Sequence, residues 1–512
     1  MKHSRKLSSL ALITAGAITL AGCAAGGESA EPADAAELET LSIMAPFLVT
    51  NAPTAGNDIE LALEEVIDVD LDITWVPNSS YEDKTNITLA GDDIPQVMVI
   101  QGKSPGFVRN AQAGAFWELT DYLDDYPNLK STYPEVQAAA SVNGEVYGVF
   151  RARDVMRAAV IVRKDWLANV GMEMPKTTDD LYEIAKAFTE EDPDGNGADD
   201  TYGIIIPKWP GAIGTNSPYD VMETWFGAGN RWTERDGELV PSFTTDEFLE
   251  GVEYEKTLID EGLVNPDYAT FDSATWNEPF LNGKGGIIID VHSRAGVLMS
   301  LFKQQNPDTF DQFVDVSGNL EGPDGELHAH PTTGYSGFLA VPKTNVRTEA
   351  ELRGVLEVLN AMNSPEAGPI LNNGIEGETY TVEGDLAVAI TDAPQTLKDD
   401  VLSFSQLGMN VGGFQGLLPK QPSDYEQEMY DKRKEIEASD LEFATFDPAS
   451  PYVSPTYVSK GAQLDVIVSD ARLQYIAGQI DLNALKSAIE LWRTSGGNDV
   501  IAEVNELYSS SN

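Results

Sequence analysis

An acidic loop at residues 192–201 carries oxygen side chains at the spacing that a hard cation requires. Oxygen ligands at alternate positions, with glycines that permit tight turns, can wrap around calcium. Asp192, Asp194 and Asn196 match positions 1, 3 and 5 of a calcium loop, and Gly197 matches position 6. A complete EF-hand has a glutamate at position 12, where this chain has Gly203. An Asx-rich turn without metal is the alternative. We predict structural Ca²⁺, with these ligands: Asp192, Asp194, Asn196, Ala198 and Asp200.

Three of the eight tryptophans, Trp209, Trp225 and Trp232, fall within one short segment. Wide aromatic faces can stack on the apolar face of a sugar ring, although tryptophan more often packs in a core. We therefore expect one or two of the three to face a ligand. The region around Trp232 can also be a structural hairpin.

A basic cluster interrupts this very acidic chain at Arg151, Arg153 and Arg157. Arg151 and Arg153 would share a face if the segment is extended. Because arginine binds carboxylates in a bidentate manner, the cluster points to an acidic sugar such as a uronate. The alternative is solvated arginine, or salt bridges to Asp154 and Asp165.

The single cysteine, Cys23, ends the sequence Leu-Ala-Gly-Cys after a basic start and a short apolar stretch. This is the layout of a secretory signal peptide at residues 1–22, too short to span a bilayer. Residues 23–38 are small, polar and acidic, typical of a flexible tether. The sequence before Cys23 resembles the lipobox of bacterial lipoproteins. In that family the thiol receives a diacylglycerol and the new amino terminus can receive an acyl chain such as palmitate. The alternative is an ordinary signal peptide with an incidental thiol.

The charge balance excludes some partners. The chain has 33 basic and 83 acidic residues, a formal net charge of −50. Such a field repels nucleic acids and anionic lipid headgroups, so we expect no nucleic-acid binding and membrane contact only through a lipid anchor. An anionic ligand requires a local basic pocket.

Strands alternate with helices along the 512 residues, which predicts a largely parallel α/β sheet in each of two domains, with extra C-terminal helices. Strands are predicted at 41–45, 71–76, 95–100, 160–163, 202–206, 286–290 and 338–342. Helices are predicted at 58–66, 179–189 and 248–259, the last opened by a capping box at 244–247. Two apolar stripes, at 464–471 and 482–492, predict further helices.

The chain resembles the sugar-binding family of extracellular solute-binding lipoproteins in several short segments and in the order in which they occur. They are GDDIPQV at 91–97, GAFWELTDYL at 114–123, NGEVYG at 143–148, RKDWL at 163–167, PKT at 175–177, DGE at 236–238, GKGGI at 283–287, GIEG at 374–377 and NELY at 505–508. The nearest branch is the long one that includes alginate-binding proteins. In that branch calcium lies in the loop matching residues 192–200, where Thr201 here replaces a frequent glutamate.

The resemblance implies a type II periplasmic-binding-protein fold, with two α/β lobes around a ligand cleft. Residues 39–152 and 290–336 would form the N-lobe, and residues 153–289 and 337–512 the C-lobe, with crossings near 150–155, 290 and 335–340. An oligosaccharide would bind in the cleft, and hinge closure would present it to the permease of an ABC importer. We expect a monomer, lipid-anchored at the outer face of the cell membrane. By position alone, four residues near the crossings are further ligand candidates: Asp290, His292, Arg294 and Tyr335.

Two other functions stay open at this point. Among 83 carboxylates an Asp/Glu pair for glycoside hydrolysis can always be found, so a secreted polysaccharide-degrading lipoprotein is the alternative. A surface scaffold protein is the third. We expect no catalytic residues, because the chain has neither a P-loop nor a nucleophile elbow.

Overall fold

The computed structural model describes residues 34–209 and 213–511. The predictions for the signal peptide at residues 1–22 and for Cys23 lie outside these residues. The strands are β1 (Thr40–Phe47), β2 (Asp70–Pro77), β3 (Val97–Ile100), β4 (Val149–Ala152), β5 (Ala158–Arg163), β6 (Tyr202–Ile204), β7 (Trp232–Arg235), β8 (Glu238–Pro241), β9 (Gly285–Val291), β10 (Val314–Ser317), β11 (Tyr335–Ala340), β12 (Tyr380–Glu383), β13 (Leu386–Ala389) and β14 (Leu418–Pro419).

Helices cover both faces of the two main sheets. They are α1 (Asp58–Ile67), α2 (Tyr81–Leu89), α3 (Pro105–Gln112), α4 (Pro134–Ala140), α5 (Lys164–Val170), α6 (Thr178–Glu190), α7 (Pro218–Trp225), α8 (Asp246–Asp260), α9 (Asn277–Leu281), α10 (Ser293–Gln305), α11 (Glu349–Met362), α12 (Ala367–Asn373), α13 (Gln395–Phe404), α14 (Asp424–Leu441), α15 (Pro455–Ile476), α16 (Leu482–Trp492) and α17 (Asn498–Ser511). Among the described residues, no helix is long and apolar enough to cross a membrane.

The first lobe is built on a five-stranded sheet in the order β2-β1-β3-β11-β4. β1 is parallel to β2 and β3, whereas β11 is antiparallel to β3 and β4. The apolar faces of α1, α3, α11 and α12 bury against this sheet in one core. Residues 36–38 of the predicted tether already join the lobe, because the Ala36 amide donates to Ala350 and Leu38 packs on the core.

The second lobe is built on a four-stranded sheet in the order β10-β5-β9-β6. β5 is antiparallel to β9 and β10, and β6 is parallel to β9. Both main sheets are therefore mixed, and the prediction of largely parallel sheets is wrong. One face of this sheet packs with α6, α7 and α8, and the other with α10 and α14. The C-terminal helices α15, α16 and α17 add to the first of these faces and to a small core around the β7–β8 hairpin.

The chain crosses between the lobes at residues 153–157, 318–334 and 420–423. The first of these crossings overlaps the one that the resemblance implied near residues 150–155. The prediction of a crossing near residue 290 is wrong, because β9 pairs within the second sheet. Consequently residues 290–317 belong to the second lobe and residues 337–411 to the first, the reverse of the predicted division. The first two crossings run side by side, joined by backbone hydrogen bonds from Arg153 to Gly334 and from Thr332 to Val155.

Candidate functional site

A cavity of about 500 Å³ lies between the two lobes, beside the paired crossing segments. The first lobe contributes residues that follow β3 and the start of β11, and the second lobe contributes the β7–β8 hairpin and α15. The loop at 446–454, which returns to contact the first lobe, closes one side. A second cavity of about 220 Å³ lies in the first lobe and shares Lys103 with the main one. A concave site of this size at a domain interface is typical of small-molecule recognition.

Two cationic side chains from opposite lobes face this cavity. Lys103 follows β3, and its Nζ donates to the carbonyl oxygens of Ser141 at 2.9 Å and Ser450 at 2.5 Å. Burial lowers the pKa of the Lys103 ammonium to about 8, although Asp447 opposes that shift. Arg231 precedes β7 in a left-handed backbone conformation, and its side chain is 44% exposed. The cavity therefore contains one cationic side chain from each lobe.

Carboxylates accompany these cations. Asp447 Oδ2 lies 3.8 Å from Arg231 Nε, and burial raises the pKa of Asp447 to about 6 even though Arg231 pulls it down. Asp465 accepts a hydrogen bond from the Tyr457 hydroxyl, and Arg231 donates to the same hydroxyl at 3.4 Å. Gly214 makes room for this arrangement, because a Cβ there would lie 2.2 Å from Cγ of Arg231.

Aromatic rings and amides complete the cavity. The aromatic lining comprises Trp232, Phe243, Tyr335, Phe446, Tyr452, Tyr457 and Trp492. Asn216 and Asn230 add amide groups; Nε2 of the buried His330 lies 3.0 Å from the Asn216 side-chain oxygen, and Asn230 donates to Pro331. Burial lowers the pKa of His330 to about 4, so its imidazole is neutral at pH 7. The lining thus combines rings, amides and both signs of charge, the groups that recognise a polyhydroxylated ligand.

Of the predicted aromatic residues, Trp232 and Tyr335 line the cavity. The prediction for Trp225 is wrong, because its ring is completely buried and its Nε1 donates to Asn319. Trp209 lies outside the cavity lining, where its ring packs edge-on against Trp276.

The predicted arginine cluster does not line the cavity. Arg151 is 2% exposed and donates to Gln406, and burial lowers the pKa of its guanidinium to about 9. Arg153 donates to the carbonyl of Ala152 on the crossing segment, and Arg157 accepts at its carbonyl from the His292 amide. Arg151 cannot contact a ligand, because it is buried on β4. Arg153 and Arg157 lie on the first crossing outside the cavity lining, and their part in ligand binding stays a prediction.

The residues predicted from a crossing near 290 also lie elsewhere. Asp290 forms an ion pair with Arg294, whose guanidinium stacks 4.2 Å from the Trp276 ring. His292 is buried beside Glu437 of α14. All three belong to the second lobe, on β9 and at the start of α10, and do not line the cavity.

Lys103, Arg231, Asp447 and Tyr457 are cavity residues that the sequence interpretation missed. One signal was available for Lys103: it follows a buried strand, and ligands bind beyond the carboxyl ends of parallel strands. Arg231 is adjacent to the predicted Trp232. Asp447 and Tyr457 reach the cavity only through the return of the chain after α14, which no local pattern indicates.

The acidic loop lies at the surface of the second lobe between α6 and β6. Asp192 accepts from the amides of Asn196 and Gly197, and Asp192 has a left-handed backbone. The Asn196 side-chain nitrogen donates to Asp194 at 2.8 Å and to Asp200 at 3.2 Å, and Lys284 forms an ion pair with Asp200. Carboxylates that converge on one nitrogen could converge equally on a cation, so the donor set fits a hard ion.

Two α/β lobes, connected by several crossings and enclosing a cavity, define a ligand-binding protein of the two-lobe class. More specifically, the chain belongs to a family described as bacterial extracellular solute-binding protein, whose sequence profile matches residues 59–369. This membership confirms the family and the fold predicted from the sequence. The chain is 43% identical to lipoprotein LipO of Bacillus subtilis over 97% of both chains. It is 31% identical to the polygalacturonan/rhamnogalacturonan-binding protein YtcQ of the same organism, over 88% of this chain and 87% of YtcQ.

Solved structures agree with this fold. An extracellular solute-binding protein from Bifidobacterium longum subsp. infantis superposes with a TM-score of 0.71 at 18% identity, covering 92% of this chain and 98% of that one. The ABC-transporter substrate-binding protein FusA of Streptococcus pneumoniae, in complex with kestose, superposes with a TM-score of 0.63 at 21% identity, covering 92% and 99%.

Proposed function

We propose that this chain is the substrate-binding lipoprotein of an ABC importer and that it captures an acidic, uronate-containing oligosaccharide in the cavity between its lobes. The observation that supports an acidic ligand is that Lys103 of the first lobe and Arg231 of the second lobe both line one cavity. A carboxylate bound between them would draw the two lobes together, because each cation belongs to a different lobe. Closure of the lobes around the ligand would then present one conformation to the permease.

The remaining lining supports a sugar. Trp232 and Tyr335 offer flat apolar faces to pyranose rings, and Asn216 and Asn230 offer amide donors and acceptors to hydroxyls. The relatives point in the same direction: YtcQ is named for polygalacturonan and rhamnogalacturonan, and FusA for fructooligosaccharides. In this proposal Cys23 is lipidated and holds the protein at the outer face of the cell membrane, within reach of the transporter.

Binding measurements with matched sugars test this function. Oligogalacturonates are compared with the same oligosaccharides after reduction of their carboxyl groups, by calorimetry and by thermal unfolding. We expect the acidic series to bind and to stabilise the protein by about 2.7 kcal/mol at 100 times the Kd. Equal binding of the reduced series would remove the acidic ligand from the proposal. Product formation would indicate the polysaccharide-degrading enzyme instead, and failure of all glycans would indicate a scaffold.

We also propose that the acidic loop binds structural calcium. The donor set of three carboxylates and an asparagine supports this, as do related structures described as an EF-hand mutant of FusA and as the alginate-binding protein AlgQ2 without calcium ion. The loop lies at the surface of the second lobe and does not line the cavity. The ion would therefore hold the loop between α6 and β6 and take no direct part in ligand binding.

Calcium is expected to raise the melting temperature through this loop. At 100 times its Kd it would stabilise the folded chain by about 2.7 kcal/mol, an effect that a chelator reverses. Asp194→Asn should abolish most of the calcium-dependent stabilisation, because it removes a charged ligand. Asp199→Asn is the matched control, since Asp199 lies in the same loop but outside the predicted ligand set. The proposal fails if chelation leaves the melting temperature of the natural chain unchanged.

A further inference from the structure

We propose that Asp154, His292 and Glu437 form a binding site for a divalent transition-metal ion of the zinc class. One nitrogen of the His292 ring and one oxygen from each carboxylate lie within 4.8 Å of one another. The three residues come from different parts of the chain: the first crossing segment, the start of α10, and α14. The site is distinct from the ligand cavity, whose lining includes none of them, and it does not depend on the proposed function.

His292 provides the strongest indication of a missing partner. Its side chain is 7% exposed, and Nδ1 has no hydrogen-bond partner among the described residues. Nε2 lies 2.6 Å from Glu437 Oε1 in an ion-pair contact, so Nδ1 is the ring atom that lacks any partner. A buried polar atom without a partner is costly. Coordination of a metal through one ring nitrogen would give the imidazole a well-directed partner.

The donor set selects the class of metal. Calcium takes oxygen ligands, whereas imidazole together with carboxylates suits zinc and its neighbours. Three protein ligands with an open position for water are a common zinc arrangement. Asp154 must move inward for this, since zinc bonds of about 2.0–2.2 Å require closer donors. Its side chain is 54% exposed, which leaves it room to change its rotamer.

A cation already lies among these donors. Lys434 Nζ is 2.8 Å from Glu437 Oε2 and 3.6 Å from Asp154 Oδ1, and the lysine side chain is 36% exposed. The ammonium therefore marks a position that is favourable for positive charge, and it can retreat into solvent when a metal enters. Lys434 would act as a competitor that lowers metal affinity.

Bound metal would connect the crossing segment to the second lobe. The Asp154 carbonyl accepts a hydrogen bond from Thr332 of the second crossing, so Asp154 already joins the two segments. The His292 amide donates to the carbonyl of Arg157 at 2.7 Å, which places the ring against the end of the same crossing. The metal would fix the end of the first crossing to α10 and α14.

Zinc binding to the mature chain, with any purification tag removed, tests the site. ZnCl₂ is titrated by calorimetry in saturating CaCl₂, which keeps the acidic loop filled. We expect one equivalent of zinc, and affinity losses of about tenfold or more for His292→Ala and Glu437→Gln. The matched control is His328→Ala, which removes a surface histidine that is 2.8 Å from Asp324 and should leave binding unchanged. The proposal is overturned if no zinc binds, or if the His328 variant loses it and the His292 variant keeps it.

Two further variants keep the test valid if the buried residues prove necessary for folding. Asp154→Asn changes an exposed side chain and should weaken zinc binding without changing the melting temperature of the metal-free chain. Lys434→Met removes the competing charge and should raise zinc affinity about tenfold. Lys432→Met, on the same helix but paired with Asp315, is its control. If Lys434→Met fails to strengthen binding while Lys432→Met does, the site is assigned wrongly.

Discussion

Replacing Arg231 with glutamine is expected to weaken the binding of a uronate oligosaccharide by about 10- to 100-fold. A hydrogen bond from a charged group contributes about 1.5–3 kcal/mol, and each 1.4 kcal/mol corresponds to a factor of ten. Arg231 lies on the cavity wall, and its side chain is 44% exposed. The carboxyl-reduced oligosaccharide should lose much less affinity. Calorimetric titration of both sugars against both proteins gives the comparison.

Two variants sharpen this result. Arg231→Lys keeps the charge but removes the planar fork, so an intermediate loss would indicate bidentate recognition of a carboxylate. Arg235→Gln is the matched control, because Arg235 lies on the same hairpin and contacts Glu247 at the surface. An equal loss of affinity for the acidic and the reduced sugars would mean that Arg231 supports the cavity wall and does not interact with the ligand carboxylate.

The carboxylate beside Arg231 gives the same interaction a pH dependence. The pKa of Asp447 is raised by burial to about 6, so protonation below that pH removes a negative charge that competes for Arg231. A sugar carboxyl, with a pKa of about 3.5 like other α-carboxyls, stays ionised. Affinity for the uronate should therefore rise as pH falls through about 6. Asp447→Asn should flatten this dependence of affinity on pH.

The same carboxyl group also affects stability. Because folding raises the pKa of Asp447 to about 6, its contribution to the free energy of unfolding falls as the pH rises from about 4 to about 6.

The predicted elements were mostly correct because their signals are local. The apolar spacing at 178–190 and the cap at Thr177 produce α6, whose Leu181, Ile184 and Phe188 are buried. The capping signal at 244–247 is misplaced by one residue, since Thr245 caps α8. A local signal identifies a strand or a helix but does not identify its neighbours. The segment 286–290 was correctly predicted as a strand, yet its pairing with β5 and β6 determines its lobe.

The cavity residues also differ in how far they could be predicted from local sequence. Trp232 and Tyr335 could be chosen from residue type and position, and both line it. Arg151 and Trp225 have equally suitable side chains, but both are buried, and burial depends on packing from distant segments. Arg151, for example, contacts Gln406, a residue 255 positions later. The residue type suggests which side chains could bind a ligand, but the fold determines which of them reach the cavity.

The buried Arg472 gives the largest expected effect on stability. Arg472 is 0% exposed on α15, and its Nη1 lies 2.9 Å from Asp220 and 3.0 Å from Glu223, both buried on α7. Replacing it with methionine would leave carboxyl groups in the core without their cation, and removal of one partner of a buried pair costs about 3–5 kcal/mol. We expect a reduction of that size in the free energy of unfolding by urea. Arg493→Met, which replaces a partly exposed arginine between α16 and α17, is the control.

The pH dependence of that loss identifies its electrostatic cause. Burial is the main influence on the pKa of Glu255, next to this pair, and raises it well above its ordinary value. Asp220, in contrast, has a lowered pKa despite burial, because Arg472 stabilises its charge. Without Arg472 the pKa of Asp220 must rise, so the variant's deficit should shrink as pH falls toward the unfolded value of about 4. In the double variant with Asp220→Asn, the deficit at pH 7 should be smaller than the sum of the two single ones. A deficit that is independent of pH and additive would instead mean that Arg472 acts mainly by filling space between α7 and α15.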